Sequence, residues 1–511
     1  MRPCAATWMC DAYHVPVPLL HRNRRIEFPP GSFAAATWTV PKHYGGMTAA
    51  LLRRSRMFVE QAGIEVPILT LDPGLDVPAT RAHLAARGEL VPGLTLRNIW
   101  EDFRNLPDDA LGVRDGAQPE QRPRAESPDE FVRTVSDDEG NAREILHFRA
   151  DGTLAAADRR SVTGRRVSLY ASDGREGRHW GSVWAAYRYW IGSVLAERPA
   201  YVVVDSKSIV TFFANLKLKQ VRSVHVVHGA HLVAGATDAH GQLTASRRVM
   251  VENFDRLDAV VFLTEAQRRD VLARIGERPH AFVIPNSTEL PGARIKRDRD
   301  VLAGAVLAGL STRKRVPQAI KGVRLAARAT GLPIRLDIYG DGPDRRRVEA
   351  AASRAPGVTL HGHVAGAASR LEDASFLLLT SRSEGLPLVF AEAMSRGCIP
   401  IAYDIRYGPA DIITDGVDGF LVPDADTEAL ARAIERLVTL DPAEVWRMRL
   451  AARDAAKRYS DAAVARRWAE LFSQLAGADG SPRRSPRGIL ATTRQAAGVL
   501  PRAVQGLRRA L

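Results

Sequence analysis

Glu384 and Glu392 stand eight positions apart in the otherwise apolar stretch Ser383-Glu384-Gly385-Leu386-Pro387-Leu388-Val389-Phe390-Ala391-Glu392-Ala393-Met394. The run at 376–379 before it reads as a buried strand, and Gly385 with Pro387 marks a strand-to-helix turn, with proline near the first helical position, where its missing N–H costs least. The first amides of a helix have no intrahelical partner. The turn Gly385, Leu386, Pro387, Leu388 therefore offers a seat for an anion such as a phosphate. A carboxylate two helical turns further on, in an apolar helix, is either exposed or held by donors such as sugar hydroxyls, and Glu392 is open to both readings. Taken alone, the stretch also fits a routine strand-turn-helix with two solvated glutamates.

Three other groups carry chemistry. Arg313-Lys314-Arg315 falls where a strand at 301–310 meets a helix at 317–330, so its charge adds to helix amides at one anion site. His228, in Val226-Val227-His228-Gly229-Ala230-His231, ends a strand at 223–228, where ligands of parallel sheets sit. His225 lies inside that strand and is most simply structural, whereas His231 either contacts an acceptor or orients the loop. Gly45 and Gly46, between a strand at 34–40 and a helix at 47–60, allow close approach of a ligand to the backbone.

With Gly397-Cys398-Ile399-Pro400-Ile401-Ala402 and Asp415-Gly416-Val417-Asp418-Gly419-Phe420-Leu421-Val422-Pro423 behind it, the paired-glutamate stretch resembles the nucleotide-sugar half of retaining family 4 glycosyltransferases, over residues 300–475. Trp-Thr-x5-Gly-Gly-Met-Thr at 38–48 and Tyr407-Gly408-Pro409-Ala410-Asp411 resemble the poly(glycerol-phosphate) and poly(ribitol-phosphate) branch of wall teichoic acid glycosyltransferases. The resemblance implies an α/β protein of GT-B fold, two Rossmann-like doubly wound domains facing a cleft. In that cleft Lys314 grips the leaving diphosphate with the Gly385 to Leu388 amides, Glu392 accepts from ribose hydroxyls, and Glu384 and His228 bind hydroxyls of the donor sugar. The loop carrying Val364 touches the base, and the loop of Gly45 and Gly46 faces sugar and acceptor. It further implies front-face retention without a metal or cofactor, a nucleotide-sugar, most simply a UDP-sugar, as co-substrate, and transfer of a hexose or N-acetylhexosamine. The chain departs from the family at Gly309, where an arginine is usual; either Arg313 or Arg315 supplies the second charge, or activity is altered.

The elements that position these groups alternate strand and helix, which predicts parallel sheets with right-handed crossovers. The expected order is a first domain over 1–94 and 177–299, a β-rich insertion over 95–176, a nucleotide-sugar domain over 300–475 and a basic tail over 476–511. Asp151-Gly152 and Asp173-Gly174 supply hairpin signals within the insertion. In the family branch such an insertion is associated with oligomerisation and with holding a polymeric acceptor; a decorative surface hairpin is the alternative. Trp180, Trp184, Tyr187 and Trp190 read as packing at helical spacing, not as a sugar platform.

A net charge of +14 on 511 residues points to an acidic partner, an anionic membrane face or a polyanionic glycan acceptor. No nucleic-acid-binding signature accompanies it. The tail from 480 onward carries seven arginines and no acidic residue, interleaved with apolar side chains, which fits either an interfacial segment on anionic lipid or a disordered basic tail. Cys4, Cys10 and Cys398 form no disulfide or zinc framework. The expected location is the cytoplasm, peripheral to the inner face of the membrane. The function expected is glycosyl transfer to an envelope polymer such as a teichoic-acid-like polyol phosphate. Glycosylation of a protein or lipid-linked glycan, and a non-catalytic polymer-binding subunit, are the alternatives.

Overall fold

The computed structural model describes residues 25–161, 164–196, 199–233, 235–236, 238–291 and 295–477. The tail from 478, the first 24 residues, Cys4 and Cys10 lie outside the described residues.

Short apolar runs such as Ala200–Val204 are buried at every position, which requires a layer of helices on both faces. Seven such strands form one parallel sheet in the order Ala281–Val283, Ala259–Phe262, Val221–Val227, Ala200–Val204, Ser32–Thr37, Val66–Thr70, Leu94–Asn98. Six more form a second parallel sheet in the order Val358–Gly362, Arg335–Tyr339, Ala303–Leu307, Phe376–Leu379, Ile399–Asp404, Phe420–Pro423. Side-chain caps fix several helix starts: Asp426 accepts from the Ala429 amide at 2.8 Å, and Thr264 from that of Gln267 at 3.2 Å.

Between the strand at 94–98 and the helix Val183–Val194 lies the expected insertion, a five-stranded antiparallel meander over Val132–Ser136, Ala142–Phe148, Leu154–Ser161, Gly164–Tyr170 and Glu176–Trp180. Its boundary differs from the expectation of 95–176. Leu94–Asn98 pairs in parallel with Val66–Thr70 at the edge of the first sheet, and Asn98 then caps the helix Ile99–Arg104, so the insertion starts after Arg104 and runs through Trp180. Tyr187 and Trp190 are buried, and the Trp190 indole donates to Asp102 at 2.7 Å, which makes them packing residues.

The closing helix Asp461–Gly477 crosses back onto the first domain. Phe472 sits among Phe28, Phe33, Phe58 and Tyr201 at ring separations of 5.1–5.8 Å, and Asp461 pairs with Arg53 at 2.8 Å. Side chains of both domains thus share one core, which fixes the relative placement of the two sheets.

Three histidines are fully buried: His147, stacked on Trp100 at 4.3 Å, together with His225 and His231. Burial pushes them down to about 3, about 3 and about 4 respectively, so the fold holds them neutral. In the unfolded chain they take up protons near pH 6.5, so stability falls as the pH drops from there towards 4 and the loss levels off below the folded values. Both ring nitrogens of His147 lack a hydrogen bond among the described residues. His147→Phe is therefore expected to flatten the fall of Tm between pH 6.5 and 5, measured by thermal unfolding across that range.

Candidate active site

The strand Phe376–Leu379 ends beneath a loop that turns into the helix Leu388–Ser395. Pro387 is the residue that precedes the first helical position, one place earlier than expected. Glu384 lies in the loop. One carboxylate oxygen meets Lys314 Nζ at 2.6 Å and the other meets Arg313 Nη1 at 3.0 Å. Burial pushes the Glu384 carboxyl up, but Lys314 and then Arg313 outweigh it and hold the group below the usual carboxylate range.

The two arginines flanking Lys314 have separate fates. Arg313 is half-exposed at the cleft mouth and also donates to the Ser383 carbonyl at 2.8 Å. Arg315 has a left-handed backbone (φ 48°) at the start of the helix Val316–Thr330. Its guanidinium donates to the carbonyls of Thr380 at 2.9 Å and Ser381 at 2.6 Å, pairs with Asp424, and lies over the Tyr403 ring. Arg315 thus braces the loop, and Arg313 is the one that reaches Glu384. At Gly309 an added Cβ would meet nothing closer than the Asp341 carbonyl at 3.9 Å, so the space for a longer side chain exists but the cation does not.

Glu392 is half-buried on the helix, and its carboxylate accepts no hydrogen bond among the described residues. Burial raises its pKa against the opposing charges of Arg396 and Arg53. Val364, half-buried, lies in the loop after Val358–Gly362.

The first domain contributes a relay that the sequence reading missed in part. His228 follows the strand Val221–Val227, and its Nε2 lies 2.7 Å from Asp205 Oδ1, at the end of the neighbouring strand. Asp205 also accepts both guanidinium ends of Arg54, at 2.8 and 2.7 Å, from the helix Gly46–Ala62. Burial would raise Asp205, but Arg54 and then His228 draw it down to about 2. An ionised Asp205 accepts, so Nε2 carries the proton, and in the neutral ring Nδ1 is left as an acceptor. Arg54 and Asp205 were visible as charges at positions that the helical and strand patterns assign to the interior, a signal that they pair.

Gly45 precedes the first residue of that same helix, with Gly46 opening it, beside a cavity of about 500 Å³ that Trp38, Thr48, Ser206 and Ser208 help to line. A Cβ at either glycine would meet nothing within 4 Å, so the bare backbone leaves room there without being sterically required.

The two halves touch at Gly385. A Cβ there would lie 2.2 Å from the His228 carbonyl oxygen, closer than any side chain can approach. Around this contact Tyr407 donates its amide to the Glu384 carbonyl at 3.3 Å and its hydroxyl to Asp270 of the first domain at 2.7 Å. His231 stacks on the Tyr407 ring at 5.5 Å and makes no ring hydrogen bond among the described residues, which favours its loop-orienting reading. Gly385→Ala is expected to force the domains apart by about 1 Å and to lower donor turnover about 100-fold with little change in Tm; an assay of nucleotide release beside a melting curve checks both.

Among the described residues no group of His, Cys, Asp and Glu is poised to hold a metal ion, and no helix is long and apolar enough to cross a membrane. The arrangement offers cations and helix amides on one side of a cleft and a tautomer-fixed histidine on the other.

Residues 303–439 match the family model for glycosyl transferases group 1. The chain is 31% identical over 295 residues to an exopolysaccharide phosphotransferase of Streptomyces coelicolor, covering 55% of this chain and 29% of that protein. It is 25% identical over 289 residues to a poly(ribitol-phosphate) alpha-N-acetylglucosaminyltransferase of Staphylococcus aureus, covering 56% of this chain and 58% of that one. The chain thus spans between about a third and under two thirds of these curated relatives. Among solved structures, a Staphylococcus aureus TarM mutant in complex with Fondaparinux, alpha-GlcNAc-glycerol and UDP superimposes with a TM-score of 0.64 at 18% identity, over 87% of this chain and 100% of that one. The fold is that of the GT-B glycosyltransferases, with the antiparallel insertion in the first domain.

Proposed function

We propose that this cleft transfers a hexose or N-acetylhexosamine from a nucleotide sugar, a UDP-sugar in the first instance, to an envelope polymer such as a polyol phosphate, with retention and without a metal. The observation that carries the reading is the Lys314, Arg313 and Glu384 cluster beside a helix N-terminus, drawn into backbone contact with His228 through Gly385. Departure of a nucleoside diphosphate is the main catalytic demand, and pre-placed cations and amides meet it without reorganising. Lys314 and Arg313 then turn from Glu384 to the diphosphate, and Glu384 accepts from sugar hydroxyls. Glu392, with an unoccupied carboxylate, accepts from the ribose, and His228 Nδ1 accepts from a sugar hydroxyl across the cleft. The bond from the anomeric carbon to phosphate breaks, the acceptor oxygen bonds to the same face of that carbon, and the acceptor proton passes to the departing phosphate oxygen.

The relatives named above include a protein whose acceptor is poly(ribitol-phosphate), and the +14 charge suits a polyanionic acceptor. Phe131 and Val135, each 40% exposed at the outer strand of the meander, suit contact with a second copy of the chain. A cytoplasmic location at the inner membrane face belongs to the same proposal. Glycosylation of a protein or lipid-linked glycan uses the same donor chemistry. A non-catalytic polymer-binding subunit is favoured only by Gly309. Purified protein offered a panel of UDP-sugars with candidate acceptors separates these. Release of UDP and an α-linked product, both absent in Glu384→Ala, support the enzyme. Polymer binding with no turnover of any donor contradicts it.

A further inference from the structure

The linker into the second domain runs beside the helix Pro442–Ala456, and together they enclose a cavity of about 280 Å³ that shares no lining residue with the cleft. Arg297, Arg299 and Arg449 line it, and none of the three has an ion-pair partner among the described residues. The surrounding carboxylates are taken: Asp373 by Lys296 at 2.6 Å, Asp300 by Arg335 at 2.6 Å and Glu372 by Arg396 at 3.7 Å. Asp298, exposed at the rim, is the one carboxylate in the lining.

Arg449 is only 2% exposed and is satisfied by dipoles alone, donating to Ser375 Oγ at 2.7 Å and more weakly to the carbonyls of Lys296 and Arg299. Arg299 likewise donates to the carbonyls of Ala374 at 2.7 Å and Arg396 at 2.8 Å. Burial, and then the neighbouring Arg299 charge, push Arg449 down to about 10. Adjacent buried cations without a counter-charge are costly, and an anion brought between them relieves that cost. The opposite wall is apolar, from Leu440, Val445 and Trp446. Arg297 rests over the Trp446 ring at 5.5 Å, an exposed cation–π contact that yields at little cost to a better partner.

We propose that this cavity binds a phosphate monoester or diester carried on an apolar or aromatic body: the phosphate sits at Arg297 and Arg299 with Arg449 behind them, and the body packs on Trp446 and Leu440. A soluble phosphorylated metabolite and the headgroup of an anionic lipid both present this chemistry. Arg299 also holds the Arg396 carbonyl, just past the helix that carries Glu392, so an occupant here bears on the donor side of the cleft.

The test uses the full chain with its cleft saturated by UDP, as wild type, Arg297→Ala and Trp446→Ala. Calorimetry compares phenyl phosphate with inorganic phosphate, and co-sedimentation compares phosphatidylglycerol vesicles with phosphatidylcholine vesicles. The expected result is binding of phenyl phosphate about tenfold tighter than inorganic phosphate, or selective binding to the phosphatidylglycerol vesicles, weakened at least about fivefold by each substitution with Tm unchanged. Phenyl phosphate binding assigns the soluble source, and vesicle binding alone assigns the lipid. Binding in neither arm, or binding that both variants retain in full, overturns the proposal, and the latter result would place vesicle attachment elsewhere on the chain.

Discussion

Lys314→Ala is expected to lower donor turnover by roughly 100- to 1,000-fold while leaving the melting temperature nearly unchanged, the size of effect seen when one pre-placed donor to a developing negative charge is removed. Lys314 Nζ is 2.6 Å from Glu384 and adjoins the amides of the strand-to-helix turn, so its charge stands where the leaving diphosphate must be held. The same substitution changes Glu384. Burial raises that carboxyl, and without its stronger cationic neighbour only Arg313 opposes the rise. The acid limb of the pH-rate profile should therefore move to higher pH in Lys314→Ala. Nucleotide release measured across the pH range checks both statements, and an unshifted limb with unchanged turnover would remove Lys314 from the account.

Asp205→Ala is expected to be the most destabilising single change in the site. It leaves Arg54, 5% exposed, buried without its counter-charge, a loss of about 3–5 kcal/mol by the usual cost of breaking a buried pair. In a melting experiment that corresponds to a fall of roughly 10 °C. Asp205→Asn separates stability from function. The amide keeps the volume and one acceptor oxygen, so more of the fold survives. Its N–H₂ no longer compels His228 to carry the proton on Nε2, and Nδ1 is no longer reserved for a sugar hydroxyl. Turnover should drop about ten- to a hundredfold in Asp205→Asn, with a smaller Tm loss than in Asp205→Ala. Equal Tm losses, or full turnover in the asparagine variant, would show that Asp205 merely neutralises Arg54.

Local pattern made the frame of the second domain readable. The strand at 376–379 and the helix Glu265–Ile275 of the first domain fall where apolar runs and caps put them, because those signals lie within a few residues of one another. The pairing of Lys314 with Glu384 was half legible: each stood at a strand-to-helix junction, but their contact spans 70 positions. The Arg54 to Asp205 pair spans 151 positions, and the Gly385 contact with His228 crosses from one domain to the other. Such contacts have no local signature, and only the packing of the two sheets creates them. Leu94–Asn98 was misassigned to the insertion for a related reason, since a five-residue edge strand looks the same in sequence whichever sheet it joins. The distinct roles of Arg313 and Arg315 depended on the backbone carbonyls of Thr380 and Ser381, which composition cannot reveal. The short helix Val210–Ala214, expected to run over 208–218, ends early as the chain turns through Asn215 and left-handed Lys217 (φ 51°).

The central claim is that a nucleoside diphosphate is held between the Gly385 turn and His228. A structure of the protein with UDP tests it most directly. The account expects the β-phosphate within hydrogen-bond distance of Lys314 Nζ and the amides at Leu386 and Leu388, with the ribose hydroxyls on Glu392. UDP lodged elsewhere, or in the cleft with Lys314 still paired to Glu384 and Glu392 untouched, would contradict it.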